Sequence, residues 1–309
     1  MPLHPVISGI FAQMKAAGRP SFSVCEPMQA RAIMAEARAA LGRGPDLPRV
    51  DDVSIPTRSG SIPARLLVPS EAPAGFVVYL HGGGWVVGDI DDFDAFGRLL
   101  AQRSGCAVLL VEYRLAPEAR YPGPLEDAED ALTWAARERR QLLGTDVPIV
   151  IAGDSAGGNL AAVAAASTDV PLALQVLIYP VTDQDFDTPS YLDPANGGIL
   201  TRADMLWFFD HYAPGRDRDD HRLNPLRRVD VAGLPPALVV TAEYDVLRDE
   251  GEAYARRLQA AGVPARLKRY DGLPHGFIRM HNLVDTVDAA VSEIADEIRD
   301  ACDRVTCSG

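Results

Sequence analysis

From Gly75 onward the chain alternates short apolar runs with longer stretches whose apolar residues recur at helical spacing, and few folds accept that rhythm. Phe76–Leu80, Ala107–Val111, 149–152, 174–179, 238–241 and 265–270 read as buried strands. The stretches near 93–104, 125–139, 156–166, 248–261 and 284–302 read as helices, and in the second Leu125, Ala128, Leu132 and Ala135 share an inner face. A strand that is apolar at consecutive positions must be covered on both sides. The pattern therefore predicts an α/β protein with a mostly parallel sheet between helical layers. Upstream, 50–55 and 61–68 are β-rich runs around Ser59-Gly60, the pattern of an antiparallel hairpin at a sheet edge.

Two segments stand outside this rhythm. Near the N-terminus, 6–17 places Val6, Ile10, Phe11 and Met14 on one helical face, and 26–41 does the same with Met28, Ile33, Met34 and Leu41 before Gly42 and Gly44-Pro45 end the segment. Between Pro180 and Pro235 no sheet-like run occurs, only a polar loop and an aromatic helix, Met205-Leu206-Trp207-Phe208-Phe209. That is where an insertion over the sheet is expected. At 309 residues the chain is at the upper end for one core, which suits a single large domain with such additions.

A formal charge of −13 disfavours nucleic acid and anionic membrane surfaces as partners. No apolar run approaches the roughly 20 residues that span a bilayer, so no membrane insertion is expected. Met1 to Pro20 has no basic lead followed by an apolar core, and the expectation is a cytoplasmic protein. Cys25, Cys106, Cys302 and Cys307 lack metal-ligand spacing, so no metal is expected. Cys106 reads as a core residue, and Cys302 with Cys307 as free thiols of a frayed tail.

The chemistry concentrates at three places. Gly153-Asp154-Ser155-Ala156-Gly157 matches G-x-S-x-G between a buried strand and a small-residue helix, the setting of a nucleophile elbow. A serine in so tight a turn tolerates no side chain two positions away, which accounts for both glycines. Its hydroxyl would project past the end of the sheet, with the N–H of Ala156 at the start of a helix, where negative charge is stabilised. The plainer reading is a tight strand–helix turn in which Ser155 caps the helix.

Second, His81-Gly82-Gly83-Gly84-Trp85 follows a strand. Glycines cost about 0.5–1 kcal/mol each relative to alanine, so three in a row need a reason. Inward-turned N–H groups that stabilise an oxyanion supply one, since losing one such donor costs about 3 kcal/mol of barrier. Gly83 and Gly84, acting with Ala156, are the expected donors, with Gly82 a weaker candidate. His81 is expected to hold the loop in place.

Third, a serine nucleophile needs a base and an orienting acid, which in this arrangement follow it in the order acid, then histidine. His275 lies in Leu273-Pro274-His275-Gly276-Phe277, a turn after the last strand, whereas His281 enters a helix. For the acid, Asp245 follows the strand at 238–241, with Glu243 as the alternative. Asp249 and Glu250 suit the first turn of the next helix, and Asp271 is too near His275 in sequence.

Together with Glu112-Tyr113-Arg114-Leu115-Ala116-Pro117-Glu118 and the Gly158-Asn159 that follows the elbow, these segments resemble the bacterial hormone-sensitive-lipase family of carboxylesterases, in its GDSAGG subgroup. The resemblance spans about residues 50 to 300. It implies an α/β-hydrolase fold with an eight-stranded sheet and a helical cap: 1–45 as N-terminal cap helices, 46–180 and 221–309 as the catalytic domain, and 181–220 as the cap insertion. It also implies hydrolysis of short- or medium-chain acyl esters without metal or organic cofactor. The family often has Asp-Pro-Leu where this chain has Asp245-Val246-Leu247, a change next to the acyl pocket's wall. Glu118 and Asp127 read as scaffolding.

Trp85, Leu206, Phe209, Ile278 and Phe22 are the expected lining of the substrate pocket, and a homodimer through the edge strand 265–270 follows from family habit. An amidase, lactonase or acyltransferase would use the same triad. Small-molecule receptors that resemble this family lack the catalytic histidine, and His275 is present here.

Overall fold

The computed structural model describes residues 1–215 and 217–308. Its strands are β1 (Arg49–Thr57), β2 (Gly60–Val68), β3 (Phe76–Leu80), β4 (Ala107–Val111), β5 (Ile149–Asp154), β6 (Leu172–Ile178), β7 (Ala237–Tyr244) and β8 (Ala265–Pro274). They form one eight-stranded sheet in the order β1-β2-β4-β3-β5-β6-β7-β8. β1 and β2 make the expected hairpin, and β2 also runs antiparallel to β4. Every other pairing is parallel.

The helices are α1 (Pro5–Ala16), α2 (Pro27–Glu36), α3 (Arg38–Leu41), α4 (Ile90–Ser104), α5 (Gly123–Leu143), α6 (Ala156–Ser167), α7 (Pro189–Leu192), α8 (Arg202–Tyr212), α9 (Arg248–Ala260) and α10 (Asp285–Ser308). α4 packs on α10 and α5 on α6. With helices over it, the sheet centre is dry: β3, β4 and β5 are buried at every residue. This is the physical reason those runs carry no polar alternation. No strand lies between β6 and β7 among the described residues, where the chain instead forms α7, α8 and short turns.

Local chemistry sets several boundaries. The Asp89 side chain accepts the N–H of Asp92 at 3.0 Å and starts α4, and Gly105 in the left-handed region ends it. Thr201 and Asp204 form a reciprocal capping box at the start of α8. The helix expected over 26–41 bends at Ala37, which lets Arg38 reach Asp92 at 2.8 Å and also Asp89. Val6 and Met28, expected on buried faces, are exposed, and Ile7 is the core residue of α1.

The C-terminus differs from the expectation. α10 continues past residue 302, and Cys302 is fully buried with its sulfur 4.0 Å from that of Cys106. The apolar stripe Ile294, Ile298 and Ala301 carries the helix onto the sheet, so only Cys307 is exposed. Any side chain at Gly75 would overlap the Cys302 sulfur, which shows how closely the helix approaches. No helix among the described residues is long and apolar enough to cross a membrane.

These burials predict the thiol chemistry. A soluble disulfide reagent should titrate one thiol quickly, Cys307, and reach Cys25, Cys106 and Cys302 only as the protein unfolds. A second fast thiol in the native protein would contradict the packing of α10 or of the segment around Cys25.

Candidate active site

Ser155 sits between β5 and α6 with φ +55° and ψ −119°, a conformation that costs of order 1–3 kcal/mol for a residue with a side chain. The surroundings hold it there. Its N–H donates to Ile178 O at 2.8 Å, and its own carbonyl accepts from Asn159 at 3.0 Å and Val181 at 3.2 Å. The flanking glycines are required by contact. A Cβ on Gly153 would overlap the carbonyl oxygen of Gly157, and one on Gly157 would overlap that of Leu80 at the end of β3. The serine hydroxyl does not cap α6, so the plainer reading of this turn is set aside.

The hydroxyl instead meets His275. Ser155 Oγ lies 3.0 Å from His275 Nε2, and His275 Nδ1 lies 2.8 Å from Asp245 Oδ2. Asp245 is fully buried, and its other oxygen accepts the N–H of Leu247 at 2.9 Å. A carboxylate only accepts, so Nδ1 carries the ring proton and Nε2 is left to accept from the serine. The end of the sheet aligns these groups: Tyr244 pairs with Pro274, and the His275 N–H donates to Tyr244 O at 3.3 Å.

The alternatives lie elsewhere. Glu243 binds the Met1 amino group and the N–H of Gly272, each at 2.6 Å. His281 is buried, with Nδ1 3.3 Å from Ile278 O. Asp271 is exposed. Glu250 does open α9, but it is buried, and it accepts the N–H groups of Thr182 at 2.7 Å and Asp183 at 3.3 Å.

The glycine loop is tied down by a group that motif reading left unassigned. Asp154 Oδ1 accepts both the Tyr79 hydroxyl at 2.8 Å and the Gly82 N–H at 2.7 Å. Burial pushes the Asp154 pKa up to about 6, with the Tyr79 and Gly82 bonds pulling the other way. Gly82 is thereby removed from the candidate oxyanion donors, because its N–H is already used. The N–H groups of Gly83, Gly84 and Ala156 have no acceptor among the described residues. Gly83 and Gly84 adopt φ of +127° and +58°, conformations that L side chains rarely take.

His81 holds the loop, as expected. Its ring stacks between Tyr113 at 4.4 Å and Phe93 at 5.4 Å, and its carbonyl accepts the Tyr113 hydroxyl at 2.7 Å. Burial lowers its pKa. Glu118 and Asp127 also pair structurally, with Arg31 at 2.6 Å and Arg114 at 2.7 Å.

A cavity of about 560 Å³ opens over Ser155, His275, Gly83 and Gly84, walled by α1, α2, the 197–201 turn and α8. Of the expected pocket residues, Phe22 lines it; Trp85, Leu206, Phe209 and Ile278 do not. Trp85 is fully buried, stacked on Tyr212 at 4.3 Å with Phe209 at 5.1 Å, so both belong to the core under α8. Leu206 faces outward, and Ile278 is sealed in the core.

The side chain that α8 presents to the glycine loop is Phe208, which a Cβ on Gly84 would strike. A one-residue error of helical phase, 100° on a helix, separates it from Phe209. Ile10, Phe11 and Met14 of α1 line the cavity, so their apolar stripe reflects a pocket wall. Arg279 also lines it, and no sequence signal marks it out.

A serine, a histidine and a carboxylate in hydrogen-bonded series on a doubly covered sheet point to a class. A family model described as an alpha/beta hydrolase fold matches residues 77–279. An ethyl acetate hydrolase of Pseudomonas putida is 37% identical over 97% of this chain and 99% of its own. A carboxylic ester hydrolase, LipN, of Mycobacterium tuberculosis is 40% identical over 83% of this chain and 71% of its own. Among solved structures, a hyperthermophilic esterase from the archaeon Pyrobaculum calidifontis superposes with a TM-score of 0.92 at 40% identity, covering 97% of this chain and 99% of that one. The chain belongs to the α/β-hydrolase fold family, in its hormone-sensitive-lipase-like branch.

The elbow yields a direct test. Gly157→Ala forces a Cβ into the Leu80 carbonyl, a backbone atom that cannot step aside. Urea denaturation should show a loss of at least about 1–3 kcal/mol, with turnover reduced as Ser155 is displaced. A wild-type midpoint and full activity would show that the close approach is not a constraint.

Proposed function

We propose that this chain is a carboxylesterase that hydrolyses short- to medium-chain acyl esters through a Ser155 acyl-enzyme. The observation that carries the reading is the hydrogen-bonded series Asp245, His275, Ser155 beside three N–H groups without an acceptor among the described residues. The ester-hydrolase activities that the similar proteins named above carry support it.

His275 Nε2 takes the hydroxyl proton as Ser155 Oγ attacks the ester carbonyl, and Asp245 steadies the imidazolium that forms. The carbonyl oxygen gains charge as it becomes tetrahedral, and the N–H groups of Gly83, Gly84 and Ala156 stabilise it. Collapse expels the alcohol, which receives the proton from His275. Water, deprotonated by the same imidazole, then releases the acid and restores the serine. No step calls for a metal or organic cofactor. Residues 1–45 and 181–220 act as the cap, since α1, α2 and α8 wall the cavity above the nucleophile.

Two finer readings accompany this one. β8 is the last strand of the sheet and its outer edge is unpaired among the described residues, which supports a homodimer through 265–270. A cytoplasmic location fits the unbridged Cys106 and Cys302, whose sulfurs lie 4.0 Å apart. A monomeric sedimentation profile at micromolar concentration would reject the dimer.

Ser155→Ala and His275→Ala should each lower kcat on 4-nitrophenyl butyrate by about 10³-fold or more while the thermal midpoint stays near wild type. Asp245→Asn should also lower kcat severely, because an amide lets the ring adopt the wrong tautomer. Nitrophenyl esters should give a burst of alcohol release and the matching anilides far slower turnover. Comparable rates on both would favour an amidase, and full activity in either alanine variant would reject the mechanism.

A further inference from the structure

Arg279 is out of place in a cavity built for neutral esters. It lies on the turn Phe277–Met280, four residues after His275, and borders the same cavity as Ser155. Its side chain is only 15% exposed, yet Nε and Nη2 are shut off from solvent without a hydrogen-bond partner. The guanidinium lies over the Phe93 ring, 5.2 Å from its centroid. Its nearest carboxylate is Asp92, 3.5 Å from Nη2, with Asp154 acting on it from farther off; the same Asp92 oxygen is held by Arg38 at 2.8 Å. Arg38 also pairs with Asp89 and Asp91, so Arg279 keeps a share of the Asp92 charge, but only at 3.5 Å. Burial lowers the pKa of Arg279, Asp92 and Asp154 work the other way, and the guanidinium stays protonated.

The other charged groups around the cavity point the same way. Two carboxylates line it, and both are engaged: Asp154 with Tyr79 and Gly82, Asp204 with Ser21, Ser23 and Thr201. Lys15 and Arg19 add positive charge at its exposed rim. On a chain whose formal charge is −13, such a cationic entrance favours an anion over other solutes.

We propose that the preferred substrate is an ester that also carries a carboxylate, and that Arg279 is the specificity-determining residue that binds it. This rests on the esterase reading and deepens it. The carboxylate enters the cavity, pairs with the part of the guanidinium that borders it, and orients the ester toward Ser155. Two chemistries present such a group: a half-ester of a dicarboxylic acid, with the charge on the acyl side, and an acylated hydroxy acid, with the charge on the alcohol side.

The test compares kcat/KM for charged and neutral partners of matched length. Monomethyl glutarate is set against its amide, methyl glutaramate, and acetoxyacetate against acetoxyacetamide, with acid release followed by titration. In the wild-type enzyme the charged member of one pair should be favoured at least about tenfold, the size of one charge-assisted hydrogen bond, and the favoured pair identifies which half bears the charge. Arg279→Gln should bring that ratio to one or below, and Arg279→Lys should restore part of it.

Should Arg279→Gln fail to fold, a second measurement decides. The thermal midpoint of Ser155→Ala should rise with millimolar charged ester and not with its neutral partner, and Arg279→Lys in the same background should weaken that rise. A wild-type ratio at or below one in both pairs, or a ratio unchanged by Arg279→Gln, overturns the proposal. No hydrolysis of any of the four esters, with a charged ester still raising the midpoint of Ser155→Ala, would instead sink the esterase reading and spare the binding site.

Discussion

The site depends on the contact of the first turn of α6 with the end of β3. Gly157 touches the Leu80 carbonyl so closely that no side chain fits, and Gly153 is confined by Gly157 in turn. Because two backbones meet there without side chains between them, Ala156 and the glycine loop are brought side by side. The strain at Ser155 is a consequence of the same approach. Its φ of +55° is tolerable because hydrogen bonds to Ile178, Asn159 and Val181 fix the backbone on both sides.

A second set of contacts keeps the loop aligned with that contact. Asp154, next to Ser155, reaches back to the Gly82 N–H and to Tyr79 on β3, so the elbow and the loop are joined through one carboxylate. His81, stacked on Tyr113 and Phe93, fixes the loop from its other side. With Gly82 held by Asp154, the following two amides are left without acceptors. Preorganised donors of this kind stabilise a developing charge without having to reorient during the reaction.

The sheet and the reacting groups were legible because each rests on a local rule. Continuous apolar runs such as Phe76–Leu80 mark strands covered on both faces, and G-x-S-x-G marks a turn where side chains cannot fit. The pocket wall was not legible, because an apolar stripe reads the same whether it faces a core or a cavity. Ile10 and Met14 line the cavity, whereas Trp85, beside the glycine loop in sequence, is sealed against Tyr212. Phe208 and Phe209 are adjacent in an all-apolar stretch, where periodicity has nothing to phase on. Cys302 was misplaced because the end of α10 carries no glycine or proline stop.

Buried charge separates the two sides of the site. Asp245 is fully buried and faces a ring whose positive charge develops only during the reaction. Glu250, also buried, would add a second negative charge nearby. Burial raises its pKa well above the usual carboxylate range, while the N–H groups of Thr182 and Asp183 that it accepts pull the other way and tie it to the loop after β6. Burial favours the neutral form of a carboxyl group, but the guanidinium of Arg279 has no such recourse, and it stays a cation beside the cavity with Asp92 at 3.5 Å and its Nε and Nη2 without hydrogen bonds.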